Sequence, residues 1–242
     1  MRDAREQLIV AMDVPTLEKV RQTVDTLGDA VSFYKVGMES FYSLGQPVLD
    51  EMAVRRKNVF LDLKLHDIPN TVGNGIKSLC RFAPVLTTIH AAGGPSMLKA
   101  AVAGAQEGAA KWNVPRPKLL GITVLTSISE AEWATIGHTS AVRDSVLRLA
   151  TLCREAGVDG VVASPQEAAA IRAACGKDFL IVTPGVRPAG GDKGDQSRVA
   201  TPTQALQDGA DFLVVGRPIL AAADPRAAAL AILEEMEEGK RS

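Results

Sequence analysis

Eight short apolar runs rich in β-branched residues recur along the chain, and no other feature limits its fold so tightly. They are LIVAMDV from Leu8, FYKVGM from Phe33, VFLDLKL from Val59, VLTTIH from Val85, LLGITVL from Leu119, GVVAS from Gly160, FLIVTPG from Phe179 and FLVVGRP from Phe212. Between them lie stretches with helical spacing, such as Leu17, Val20, Val24 and Leu27, or Val142, Val146, Leu149 and Cys153. Strands that are almost continuously apolar are buried on both faces, as in a parallel sheet covered by helices. Eight strand–helix units favour a closed (β/α)8 barrel over an open, doubly wound sheet. A chain of 242 residues suits one such barrel, which typically uses about 250. Residues 1–242 therefore read as a single domain, with no linker or low-complexity tract dividing them.

Helix starts support this alternation. Ser164-Pro165-Gln166-Glu167 and Thr201-Pro202-Thr203-Gln204 each place a capping hydroxyl, a proline at the first helical position and a capping-box acceptor in order. Asp224-Pro225 opens the last helix in the same way. Only 4% of residues are aromatic although 46% are hydrophobic, so Val, Leu, Ile and Ala must build the core. The stretch from Arg187 to Val199, with Gly190, Gly191 and Gly194, is long for a barrel connection and reads as a mobile lid.

A net charge of −1, from 27 basic and 28 acidic side chains, excludes a binder that relies on electrostatic attraction to nucleic acid. Cys80, Cys153 and Cys175 are odd in number and contain no C-x-x-C pair, which argues against a disulfide framework or thiolate zinc site. The apolar run before Asp13 is too brief for a signal-peptide core or a membrane span. These features predict a cytoplasmic protein with no membrane association.

In barrels of this kind the reacting groups gather at the C-terminal ends of the strands. Polar residues there that an apolar run does not need are Asp13, Lys35, Asp62, Lys64, His90, Thr126, Ser127, Arg187, Gln196, Gly216 and Arg217. Asp62 and Lys64 are two apart in a strand, so regular alternation sends both side chains to one face and Leu61, Leu63 and Leu65 to the other. Charges withdrawn into a barrel mouth must pair, and Asp13 and Lys35 are the available partners. Such an alternating cluster favours the ammonium form of each lysine. Gly216 permits close backbone approach and Arg217 offers a fork of donors to phosphate oxygens, at the strand where barrels commonly hold phosphate. Asp67 lies before Ile68-Pro69, where the backbone must extend or turn, so it need not share the Asp62 face.

The run DLKLHDIPNTV, from Asp62 to Val72, resembles the signature of the orotidine 5′-phosphate decarboxylase family. AMDV at Asp13, YKVGM at Lys35, VLTS at Thr126, PGVRP at Arg187, DQSR at Gln196 and VVGRPI at Arg217 are similar to that family in order and spacing. The resemblance implies a homodimeric (β/α)8 enzyme that needs neither metal nor organic cofactor. It implies Lys64 as proton donor, Asp62 beside the substrate carboxylate, and Lys35 and Asp67 completing the charged array. It also implies that Asp67, Ile68 and Thr71 serve the partner subunit's site, and that Asp13 and Lys35 contact ribose hydroxyls. Thr126 joins the substrate-binding set, Ser127 meets the pyrimidine ring, and Pro184 lines the pocket that receives carbon dioxide. Arg187 and Gln196 would close over a phosphate held by Gly216 and Arg217.

Two other functions use similar parts. A metal-dependent sugar-phosphate decarboxylase or aldolase also carries D-x-K-x-x-D after its third strand, but asks for an acidic metal ligand near the second, where this chain has Lys35. A non-catalytic barrel that only binds a phosphorylated metabolite would not require Asp62 and Lys64. His66 and His90 lack metal-ligand spacing and read as structural groups, and His138 as a surface residue. The cysteines read as helix packing, and Trp112 and Trp133 as surface packing.

Overall fold

The structure, a computed structural model, describes residues 3–188 and 200–241. All eight apolar runs form strands: β1 (Leu8–Ala11), β2 (Phe33–Gly37), β3 (Asn58–Leu65), β4 (Leu86–His90), β5 (Lys118–Ile122), β6 (Gly160–Val162), β7 (Leu180–Thr183) and β8 (Phe212–Val215). They pair in sequence order, and β1 pairs with β8, so the sheet closes into a parallel barrel. Helices between the strands cover its outer face, giving the (β/α)8 architecture that the alternation predicts.

Caps read from the sequence sit where expected. Ser164 and Glu167 form a reciprocal capping box on the helix Pro165–Cys175. The Thr201 hydroxyl accepts from the Gln204 N–H at the start of Pro202–Gln207, and the Asp224 carboxylate accepts from the Ala227 N–H at the start of Pro225–Arg241. Each cap is worth about 1 kcal/mol. Few aromatic rings mean close backbones. The helices Pro69–Leu79 and Gly94–Trp112 meet at Gly73 and Gly104, where a Cβ on Gly104 would stand 2.2 Å from the Gly73 carbonyl oxygen. Cys80, Cys153 and Cys175 are buried free thiols, and burial pushes the Cys153 thiol up to about 12, so they pack rather than react.

The core has two parts. Residues facing outward from the strands pack against the helices. Those facing inward, Ile9, Ala11, Phe33, Phe60, Leu86, Leu120, Val182, Phe212 and Val214, fill the barrel as a second cluster. Phe33 and Phe212 meet edge to face there, with ring centroids 5.9 Å apart.

Trp133 is buried, not at the surface, and its ring stacks on His138 at 3.6 Å between centroids. Its place inside the short helix Glu130–Thr135 let it turn inward, which the polar residues around it in sequence concealed.

Candidate active site

Beyond the apolar inner cluster, the inward face of β2 continues from Phe33 to Lys35 and that of β3 from Phe60 to Asp62. These charges come together. The Lys64 Nζ donates to Asp62 Oδ2 at 2.8 Å, and the Lys35 Nζ to Asp13 Oδ1 at 3.0 Å. Lys35 also stands 3.9 Å from Asp62 Oδ2, which joins Asp13, Lys35, Asp62 and Lys64 into one alternating chain of charges. The Asp62 side chain is 9% exposed and that of Asp13 46%, so the array runs from the barrel interior to solvent.

The array lies along a cavity of about 230 Å³ lined by Lys35, Asp62, Lys64, Thr126, Pro184 and apolar side chains that include Ile122 and Val162. A larger cavity, about 710 Å³, opens at the other end of the barrel around Phe33, Leu86 and Phe212. Its Lys118 pairs with Asp159, which also pairs with Arg116. The smaller cavity holds the convergent polar groups, and chemistry identifies it rather than size.

Lys64 reaches Asp62 by a route that simple alternation does not describe. Its φ is +51°, in the left-handed region, and the register between β3 and β4 shifts from Leu61↔Thr87 to Leu65↔Ile89. Four residues of β3 therefore span two of β4. Thr87 and Thr88, both fully buried, meet this irregular stretch. The Thr87 hydroxyl donates to the Leu61 carbonyl, while Thr88 Oγ1 accepts from the Lys64 N–H and donates to Asp62 Oδ1. Gly37, at the end of β2, completes the geometry: a Cβ there would stand 2.7 Å from the Lys35 Nζ and 3.3 Å from Asp13 Oδ1.

His66 and His90 form a stacked pair, with ring centroids 5.0 Å apart. Burial, then the neighbouring His66 and Lys64 charges, holds His90 below the usual imidazole range. Among the described residues, no three His, Cys, Asp or Glu side chains form a group suited to a metal ion.

The remaining expected residues surround the array. Thr126 is half-buried and Ser127 exposed in the connection after β5. Pro184 follows β7, and the Arg187 N–H donates to the Ala200 carbonyl, which ties the two ends of the connection before the next helix. Gly216 follows β8, with Arg217 exposed beside it. Gln196 and the glycines of the expected lid lie outside the described residues. Asp67, Ile68 and Thr71 are all exposed near the start of the helix Pro69–Leu79, and Ile68, an apolar residue, is 66% exposed. Asp67 accepts from the Ile68 N–H and makes no ion pair with the described residues of its own chain.

Residues 6–232 match the family model described as "Orotidine 5′-phosphate decarboxylase / HUMPS family". The chain belongs to this family. It is 51% identical to an orotidine 5′-phosphate decarboxylase of Moorella thermoacetica over 97% of its own length and 93% of the relative's. A second relative of the same name, from Heliobacterium modesticaldum, is 48% identical over 98% of both chains. The fold resembles the crystal structure of orotidine 5′-phosphate decarboxylase from Lactobacillus acidophilus, with a TM-score of 0.84 and 41% identity, covering 95% of this chain and 98% of the other.

Proposed function

We propose that this protein decarboxylates orotidine 5′-phosphate to uridine 5′-phosphate and carbon dioxide, a step of pyrimidine biosynthesis, with Lys64 as proton donor and no metal or coenzyme. The reading rests on the 2.8 Å contact of Lys64 with Asp62 inside a charge array at the barrel mouth, in a chain about half identical to relatives named for this activity.

The chemistry explains why such an array is useful. Breaking the bond from C6 to the carboxyl carbon leaves an electron pair in the plane of the pyrimidine ring, where the π system cannot delocalise it. The Lys64 ammonium, held beside C6, stabilises that pair electrostatically and then gives it a proton; solvent restores the lysine's proton in the next cycle. A cation already oriented by Asp62 needs no reorganisation when the charge develops. Asp62 also lies beside the leaving carboxylate and disfavours its bound ground state. Pro184 and the apolar lining around Ile122 and Val162 receive carbon dioxide. Asp13 and Lys35 take the ribose hydroxyls, with Thr126 and Ser127 at the pyrimidine.

Enzymes lower barriers by about 8–23 kcal/mol, and one ion pair supplies only part of a reduction near the upper end. Phosphate binding supplies more. Gly216 and Arg217 grip the phosphate, and Arg187 and Gln196 close over it, so that remote binding free energy stabilises the reactive geometry.

The working unit is a homodimer in which Asp67, Ile68 and Thr71 complete the neighbouring site. Their exposure, the apolar Ile68 side chain and the lack of an Asp67 ion pair among the described residues support this arrangement. Residues 1–242 act as one domain. Three free thiols suit the reducing cytoplasm, and no described helix is long and apolar enough to cross a membrane.

The test is loss of orotidine 5′-phosphate absorbance on adding purified protein in excess EDTA. Rapid loss, with uridine 5′-phosphate as product, is expected. No loss, or loss only after a divalent ion is restored, contradicts the reading.

A further inference from the structure

We infer that Thr88 is a positioning residue whose single hydroxyl fixes both the Asp62 carboxylate and the left-handed backbone at Lys64, and so sets where the Lys64 ammonium stands. The inference builds on the proton-donor role proposed for Lys64.

A residue with a Cβ in the left-handed region is strained and persists only where its surroundings hold it. Lys64 has this conformation at φ +51°, within the stretch where β3 and β4 lose their regular register. Its N–H is held by Thr88 Oγ1 at 2.8 Å. The hydroxyl proton of that same oxygen goes to Asp62 Oδ1 at 2.9 Å.

Asp62 thereby has its two oxygens divided. Oδ1 faces Thr88, and Oδ2 faces the Lys64 ammonium at 2.8 Å, with Lys35 at 3.9 Å. A carboxylate fixed at one oxygen presents the other in one direction. Thr88 is fully buried, so water cannot readily replace it in either contact. It therefore links the backbone and side-chain ends of the same lysine: one bond holds the turn from which the side chain leaves, and the other orients the acid that receives its tip.

Thr87 separates this role from simple support of the irregular strand. It is equally buried, and its hydroxyl donates to the Leu61 carbonyl in the same stretch, but that bond does not join Asp62 to Lys64. A hydroxyl that merely satisfies a buried backbone group should resemble Thr87 in its effects. One that positions the reacting lysine should alter kcat.

The experiment compares Thr88→Val, Thr88→Ser and Thr87→Val with the wild-type full-length enzyme. Thr88→Val preserves shape while removing the donor and acceptor, and should lower kcat about 10- to 100-fold with KM within about threefold. Thr88→Ser retains the hydroxyl and should keep kcat within about threefold of wild type, while Thr87→Val should keep it within about twofold despite a lower melting temperature. Should Thr88→Val fail to fold, Thr88→Cys, with a weaker donor of similar size, should show a smaller fall in kcat at unchanged KM. A crystal structure of that variant, or of Thr88→Val where it folds, should show the Asp62 carboxylate rotated and the Lys64 ammonium out of ion-pair reach.

Wild-type kcat in the variant lacking the hydroxyl, an equal loss in Thr87→Val, or no rescue by serine would overturn the inference. An unchanged Asp62–Lys64 pair in the variant crystal would also overturn it, whether or not the protein acts on orotidine 5′-phosphate. A wild-type protein without that activity instead contradicts the proposed function, so the two failures are distinguishable.

Discussion

Toward the N-terminal ends of the strands, Phe33, Phe60 and Leu86 fill the barrel; two residues further along β2, β3 and β4, the inward positions are Lys35, Asp62 and Thr88. The two regions share a backbone and a side-chain alternation. They differ in what surrounds each position: neighbouring apolar groups at one end, and paired charges beside an opening at the other. Each strand can therefore contribute to a packed plug and continue into a reactive array, so substitutions at the two levels should have different consequences.

The plug should respond mainly in stability. Leu120 is fully buried within it, and Leu120→Ala should cost about 2–5 kcal/mol in denaturant unfolding while leaving kcat near wild type at a temperature where the variant is folded. A large fall in kcat with unchanged stability would erase the distinction between the two levels.

The mouth should respond in the opposite way. Gly37→Ala places a methyl group where the Lys35 ammonium stands, and a long side chain can move aside without unfolding the barrel. We expect about a tenfold loss in kcat/KM with a melting temperature near wild type. Equal activity would show that the present Lys35 position is not required.

The smallest effect concerns His90, at the end of β4 and facing His66, Lys64 and Asp62. Its folded pKa lies below the reference value of 6.5, so as pH falls below 6.5 the unfolded chain binds a proton that the folded chain resists. The associated stability is present above that pH and is lost as pH falls toward and through the lower folded pKa. From about pH 7.5 to about 5.5 the melting temperature should fall, and His90→Gln should reduce the fall by about 2 °C. An unchanged slope would remove His90 from the mouth's electrostatics.

The barrel was legible because its signals are local and repeated: eight apolar runs, helical spacing between them, and caps at Ser164, Thr201 and Asp224. Much of the charge array was legible because Asp13, Lys35, Asp62 and Lys64 interrupt those runs near their ends. The left-handed turn at Lys64 was not, because regular alternation also sends Asp62 and Lys64 to one face. Thr88 was not legible inside VLTTIH, since threonine is at home in any strand. Its position between Leu86 and His90 on one face was the signal that could have found it. Gly37 was hidden because its importance lies in the space left by an absent side chain, and the His66–His90 stack because it joins two separate strand ends.

The most direct measurement of the central claim is turnover by Lys64→Ala beside its affinity for uridine 5′-phosphate. Loss of at least about 10³-fold in kcat, with nucleotide affinity largely retained, is expected if the ammonium acts on the reacting carbon. Activity within tenfold of wild type would contradict that assignment.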